Sequence, residues 1–495
     1  MQHHTEPRPA AADAPRAQRR QWFGLASLLL PVFLVSMDAS VLYLALPRIT
    51  DSLRPSAAQQ LWILDIYPFL LAGLLITMGN LGDRWGRRRL MLCGASLFGV
   101  ASVLAAFAPS AGTMIAARAL MGVGGATLLP ASLALIGNMF AGNRARDRSL
   151  AIGIWSAAFS FGTAVGPVIG GLLLHHFWWG SVFLINVPVF VLLLLTGPVL
   201  IPEFRARTSA PFDVLGVILS LGSILPLVYA VKTVAAHGLS ISMAAVAAVG
   251  SMVLVAFVVQ QRRSRHPLLA LDLFRNRTFA VAIVGTVCAM ATFGAMSYLT
   301  GIYLQSVLGF DVLAAALLGI PTSVVVAYFS MRAPWIETRL GRRATFVAAL
   351  LAAAAGQLLL LILGSGGPAW GYIVGTVVAG AGYGTLFTFT SAVALDAAPP
   401  ERAGQATAIS EMSFELGMAL GVGVLGSVAT AVFRAAGPVD DTLGETLERA
   451  AVHGDPSLAA VATQAWVDGI HVTVGVAAAI LAATAAIAWA ALRKR

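Results

Sequence analysis

Fourteen stretches of about 20 mostly apolar residues follow one another along this chain of 495 residues. They lie near 22–46, 61–81, 90–108, 112–140, 149–174, 179–200, 212–232, 240–260, 278–300, 312–331, 344–363, 369–395, 403–432 and 468–491. Hydrocarbon offers no water to unpaired backbone groups, so only helices or closed barrels cross it. Segments of this length read as helices, and the chain as an all-α polytopic membrane protein. The composition agrees, at 58% hydrophobic and 11% charged with a mean hydropathy of +0.83. Cys93 and Cys288 both sit inside apolar stretches, which suits packing and neither a disulfide framework nor a metal site.

An even number of spans puts both ends of the chain on one side. Of the 32 Lys and Arg residues, 26 fall in segments on the side of the N-terminus, 5 fall on the other side, and Arg118 lies within a span. Positive loops stay inside, so both termini are expected in the cytoplasm. Residues 1–21 read as a polar cytoplasmic tail without a cleavage site, and His3 and His4 on it as incidental. Arginines spread over alternate loops argue against nucleic-acid binding, which wants them on one face.

Against this apolar background the intramembrane charges stand out. Asp38 lies in LLLPVFLVSMDASVLYLALP, where an ionised side chain costs about 2.5–3.5 kcal/mol on insertion scales. Such residues face a cavity, a partner or a proton path; the plain alternative is a wet helix end. Pro47 and Arg48 look like the end of that helix, roughly two turns further on. Arg118 lies in AARALMGVGGATLLPASLALIG and either snorkels to the surface or stays buried. Counted at about 1.5 Å per residue from the outer ends, Asp38 and Arg118 share a depth of roughly 9–12 Å, where the two can pair.

Several ordered motifs carry more than topology. The loop GNLGDRWGRRR holds Gly79, Gly82, Asp83, Arg84, Gly86 and Arg87; a positive-inside turn explains arginines but not this order. Helix five carries GIWSAAFSFGTAVGPVIGG, in which Gly162, Gly166 and Gly170 form a flat stripe beside a kink at Pro167. The loop closely resembles the signature of the major facilitator superfamily, and Arg118 resembles its helix-four arginine. The helix-five pattern resembles that of the superfamily's exporters. FLINVP in helix six, with LWILDIYPFLLAG carrying Asp65 and Tyr67, is similar to the fourteen-helix drug:proton antiporters of the QacA and SmvA quaternary-ammonium type. Gly180 and Ser181 depart from the arginine and tryptophan found in many members.

The resemblance implies a major facilitator fold with 14 transmembrane helices. A six-helix bundle would occupy 22–200, two inserted helices and a linker 201–277, and a second six-helix bundle 278–492, with an outer loop at 434–466. RAPWIETRLGRRATF echoes the signature loop in the second half, although Glu337 reproduces neither the aspartate nor its spacing. Glu411 and Glu415, four apart, share one face of helix thirteen, where two carboxylates repel if both ionise and so compete for a proton. Helix ten holds no acid in its apolar run, Asp311 being at its edge, which weakens the expectation of dicationic substrates.

Trp62, Tyr67, Trp155, Phe159, Tyr298, Phe387 and Phe389 are candidate walls of a cation pocket, with lipid-facing or core packing as the equal alternative. The acidic outer loop (Asp440, Asp441, Glu445, Glu448, Asp455) reads as a gate or as a solvated excursion. The chain holds no P-loop, so ATP drive is not expected; the expected protein is not an enzyme and uses no cofactor, the proton gradient being the energy source. Asp38, Arg118, Glu411 and Glu415 are the expected coupling residues, with Asp38, Asp65 and Glu415 also facing substrate. The expected function is export of lipophilic cationic drugs, dyes or quaternary ammonium compounds by a monomer in the bacterial inner (plasma) membrane, in contact with lipids and protons. A self-protection exporter, a lipid flippase and a non-transporting sensor are the alternatives.

Overall fold

The computed structural model describes residues 14–55, 57–141, 145–205, 213–237, 240–264, 267, 269, 271–440 and 442–492. The tail before Ala14 with His3 and His4, Arg144, Arg207 and Asp441 lie outside the described residues, as does the side chain of Asp65. The first part of the chain forms α1 (Ala14–Leu53), α2 (Ala57–Trp85), α3 (Arg87–Ala106), α4 (Ala111–Met139), α5 (Ala145–His176), the single turn α6 (Ser181–Leu184) and α7 (Asn186–Leu200). Then come α8 (Val214–His237) and α9 (Ile241–Arg263). The remainder forms α10 (Arg277–Ile302), α11 (Val312–Leu359), α12 (Trp370–Ala397), α13 (Ala403–Leu420), α14 (Gly426–Arg434), α15 (Leu443–His453) and α16 (Pro456–Ala491). No strand occurs among the described residues.

Among the described residues, 11 helices are long and apolar enough to cross a membrane, or 12 with the bent α5. The bend has a local cause. Pro167 has no N–H for the carbonyl of Thr163, and α5 turns by 41° between Thr163 and Val165. One of the 11, Leu313–Ile362, has 50 residues, far beyond the about 20 that a bilayer needs. It breaks at Gly341, whose φ of 78° is outside the helical range. Gly380 and Gly384 of α12 face Val326 before the break, while Gly382 between them faces Ala349 and Ala353 after it. Both arms therefore meet α12 at one level, and the chain reverses at Gly341. With that division, and with α8 as a shorter apolar helix, the elements follow the order expected from the fourteen apolar stretches.

Three boundaries differ from the sequence reading. The first helix begins at Ala14, inside the expected tail, and passes Pro47 to end at Leu53; Arg48 donates to the carbonyl of Leu174 on α5 rather than marking an end. Helix α16 already starts at Pro456, inside the stretch 434–466 read as an outer loop. Its cap is Asp455, whose carboxylate accepts from the N–H of Ser457 and Leu458. The hydroxyl of Ser457 also donates to it and holds this exposed carboxyl below its ordinary range.

Apolar burial gathers in two places. One core draws on α1 to α7, with Leu395 and Ala403 added from the second half; others join α10, α11, α12, α13 and α16. Between them, α8 carries Ile224 against Phe69 of α2 and against Met412 and Ala419 of α13. The inserted pair α8 and α9 thus closes one side of the seam between α2 and α13.

Candidate functional site

Asp38 and Arg118 meet. The guanidinium donates from Nη1 to Oδ2 of Asp38 at 2.5 Å, and the two side chains are 1% and 3% exposed. Two buried charges cost several kcal/mol each to desolvate and are tolerable only together. A wet helix end and a snorkelling arginine are both incompatible with that burial. Tyr67 of α2 completes the group: the guanidinium carbon lies 4.5 Å from its ring centroid, and its hydroxyl donates to the carbonyl of Val35 at 3.3 Å. Stacking on a desolvated ring adds up to about 2 kcal/mol to the hold on a cation. It also leaves the arginine Nε without a hydrogen-bond partner among the described residues.

The second half presents acids to the same region. Glu415 of α13 is close enough to Tyr67 to interact with it electrostatically, and Glu411 lies one turn away within reach of Glu415. Glu411 is 2% exposed, so it is not at a wet mouth. Its Oε1 has no hydrogen-bond partner among the described residues. Helix α13 loses its regular pitch just beyond, in the π turn Gly421–Leu425, a distortion common at functional sites. There Gly421 touches α10 so closely that a Cβ would stand 1.8 Å from the carbonyl of Ala291.

A ladder of rings crosses from one half to the other. Trp155, tied by its Nε1 to Ser132 Oγ at 3.0 Å, lies 6.3 Å from Phe159. Phe159 is 5.6 Å from Phe387, and Phe387 stacks on Phe414 at 4.0 Å with planes 12° apart. Phe414 stands between Glu411 and Glu415 in sequence; the spacing of the two acids was its only signal. The other candidate aromatics are not part of this ladder. Trp62, 42% exposed, stacks on Tyr229 of α8. Tyr298 is equally exposed, and Phe389 packs on Phe346 in the second-half core.

At the end that carries the signature loop, the halves are fastened together. Asp83 accepts from the N–H of Gly404 at 3.1 Å and of Gln405 at 3.2 Å, the first turn of α13. A carboxylate there satisfies orphan N–H groups and meets the positive end of the helix. Arg87 donates to the same carboxylate at 2.6 Å and to the carbonyl of Pro400 at 2.7 Å. Gly79 permits the approach, since a Cβ on it would lie 2.4 Å from the carbonyl of Gly404. Gly82 faces Leu90 and Arg87 on its own side. Arg84, beside the latch, feels the charges of Asp213 and Asp83.

Around the latch, Arg148 of α5 bonds Asp396 of α12 at 2.8 Å, Arg342 bonds the same Asp396, and Thr407 of α13 donates to the carbonyl of Pro130 on α4. The glycine stripe on α5 works inside the first half. Gly162 lies against Ser36 and the carbonyl of Phe33 on α1, while Gly166 and Gly170 are buried along the same face.

Known proteins are similar to this chain. The multidrug efflux pump LfrA of Mycolicibacterium smegmatis is 40% identical, over 97% of this chain and 98% of its own. The methyl viologen resistance protein SmvA of Salmonella typhimurium is 35% identical, over 84% of each. Among solved structures, that of the human organic anion transporter MFSD10 (TETRAN) superposes with a TM-score of 0.61 at 16% identity, over 93% of this chain and 99% of that one, which speaks for the fold alone. The sequence pattern of the Major Facilitator Superfamily matches residues 28–422. On that match and these identities, the chain is a multi-pass membrane transporter and belongs to the Major Facilitator Superfamily.

Proposed function

We propose that the protein is a proton-coupled antiporter that exports lipophilic cationic drugs, dyes or quaternary ammonium compounds. Export proceeds by rocker-switch exchange of access between a first bundle, 22–200, and a second, 278–492, with the inserted helices between them. Its place is the bacterial inner membrane, with the signature-loop end and both termini in the cytoplasm, as the 26-to-5 split of basic residues favours. The likeness to LfrA and SmvA supports this substrate class. The observation that carries the reading is the buried Asp38–Arg118 pair on the Tyr67 ring, with Glu415 acting on that ring from the other half and Glu411 one turn from Glu415.

In this reading the acids hold protons or a cation in turn. A lipophilic cation arriving from the cytoplasm slides along Phe159, Phe387 and Phe414, whose faces attract positive charge, and takes the place of a proton on the acids. Outside, a proton returns and discharges the cation. Asp38 exchanges its bond to Arg118 for the proton, so Arg118 reports the proton's arrival to α4. The Asp83 latch fastens the cytoplasmic end while the outer side loads and unloads. No cofactor takes part, and the working unit is the monomer in contact with lipid.

Everted vesicles loaded through a panel of cationic and neutral dyes, with and without a pH gradient, test the reading. Cationic dyes accumulate only when the gradient is present, and neutral ones do not. Gradient-independent movement, or a preference for neutral amphiphiles, would reassign the protein to lipid or antibiotic export.

A further inference from the structure

The signature loop has a second side that the transport cycle above does not use. Past α7 the chain turns back over the loop through Glu203 and Phe204. The Glu203 carboxylate accepts from the N–H of Arg88 at 3.1 Å and of Arg89 at 3.2 Å. These are among the orphan donors of the first turn of α3. Gly86 makes room for it: its φ is 117°, and a Cβ there would stand 2.8 Å from a Glu203 oxygen. The glycine of the motif therefore serves the incoming carboxylate as well as the turn.

Phe204 engages the next residue. Its carbonyl accepts from the N–H of Arg87 at 3.0 Å, and its ring centroid lies 4.6 Å from the guanidinium carbon. The other edges of that guanidinium hold Asp83, the carbonyl of Ala134 on α4 and the carbonyl of Pro400, so one fully buried arginine is gripped by four parts of the chain. Asp213, which caps the start of α8 through the N–H of Gly216 at 2.8 Å, acts electrostatically on Arg84 from the same side. The segment just past α7 thus touches the loop directly, and the start of α8 acts on it electrostatically.

We infer that Glu203 and Phe204 are positioning residues that preset the Arg87–Asp83 latch, so that the segment leading out of α7 helps to set how firmly the loop end of the transporter closes. An arginine side chain loses much rotamer freedom when it is fixed. The Phe204 face and the Glu203-capped turn remove that freedom before α13 arrives, so the closing contact to Pro400 and α13 meets a ready partner. A second-half residue need not touch Phe204 for closure to depend on it.

The inference rests on the alternating-access reading, and the test separates the two. Spin labels on Ala141→Cys and Arg339→Cys, in a background with Cys93 and Cys288 replaced, report the width of the loop end by electron–electron distance measurement. Phe204→Leu, which keeps apolar bulk but loses the ring, should raise the open fraction about threefold or more. Phe204→Trp should restore the wild-type distribution, and Glu203→Gln should lie between. Each variant is first shown to keep its elution profile and melting temperature. Equal distributions in Phe204→Leu and wild type, or equal shifts in the Leu and Trp variants, overturn the staple. If Asp83→Ala opens the end while Phe204→Leu does not, the staple fails and alternating access stands. If neither variant moves the distribution, both fail.

Discussion

Asp83 with Arg87 in the first half and Glu337 with Arg342 in the second stand at corresponding turns, each closed by a glycine of positive φ, Gly86 at 117° and Gly341 at 78°. The backbone repeat is the same, but the charges are used differently. The first pair is 1% and 5% exposed and grips α13. The second is 52% and 24% exposed and turns toward Asp396 on the surface. The contrast recurs at mid-depth, where Asp38 has a guanidinium and Glu411 faces another acid. The first half pairs its buried acids with arginines, whereas Oε1 of Glu411 in the second has no hydrogen-bond partner among the described residues.

The sharpest way to break this comparison is Arg118→Ala. It strands the Asp38 carboxylate in a dry site and is expected to cost about 3–5 kcal/mol, measured as a loss of melting temperature in detergent. Adding Asp38→Asn should recover much of that loss. Arg118→Lys should fall between, because it keeps the charge but loses the planar group that stacks on Tyr67.

Asp83→Ala comes next. It removes two charge-assisted hydrogen bonds to the start of α13, each worth about 1.5–3 kcal/mol, and should shift the loop end at least tenfold toward open. Distance measurement between labelled halves checks it. The smallest effect belongs to Asp396→Ala, whose partners Arg148 and Arg342 are 26% and 52% exposed. Screened pairs of this kind contribute about 0–1 kcal/mol, and the effect should shrink further as salt is raised. A loss as large as that of Asp83→Ala would erase the difference between the halves.

Much of this was legible in the sequence because depth and order are one-dimensional. Counting residues from the helix ends put Asp38 and Arg118 in one layer, and the ordered glycines and arginines of 79–89 announced a tight joint. Azimuth is not one-dimensional. Nothing in the chain said that Phe414 would complete the ring ladder while Trp62 and Tyr298 stayed out of it, because those faces are set by neighbouring helices. Pro47 looked like a helix end, yet α1 continues beyond it. The roles of Glu203 and Phe204 depend on a contact across more than a hundred residues of chain, which no local pattern encodes.

The central claim is that Asp38 exchanges a proton in step with a lipophilic cation. Proteoliposomes carrying the wild-type protein and a pH-sensitive dye inside should release protons when a lipophilic cation is added. The account predicts that Asp38→Asn, folded and inserted in equal amount, gives no such release. Undiminished cation-driven proton release by that variant would contradict it.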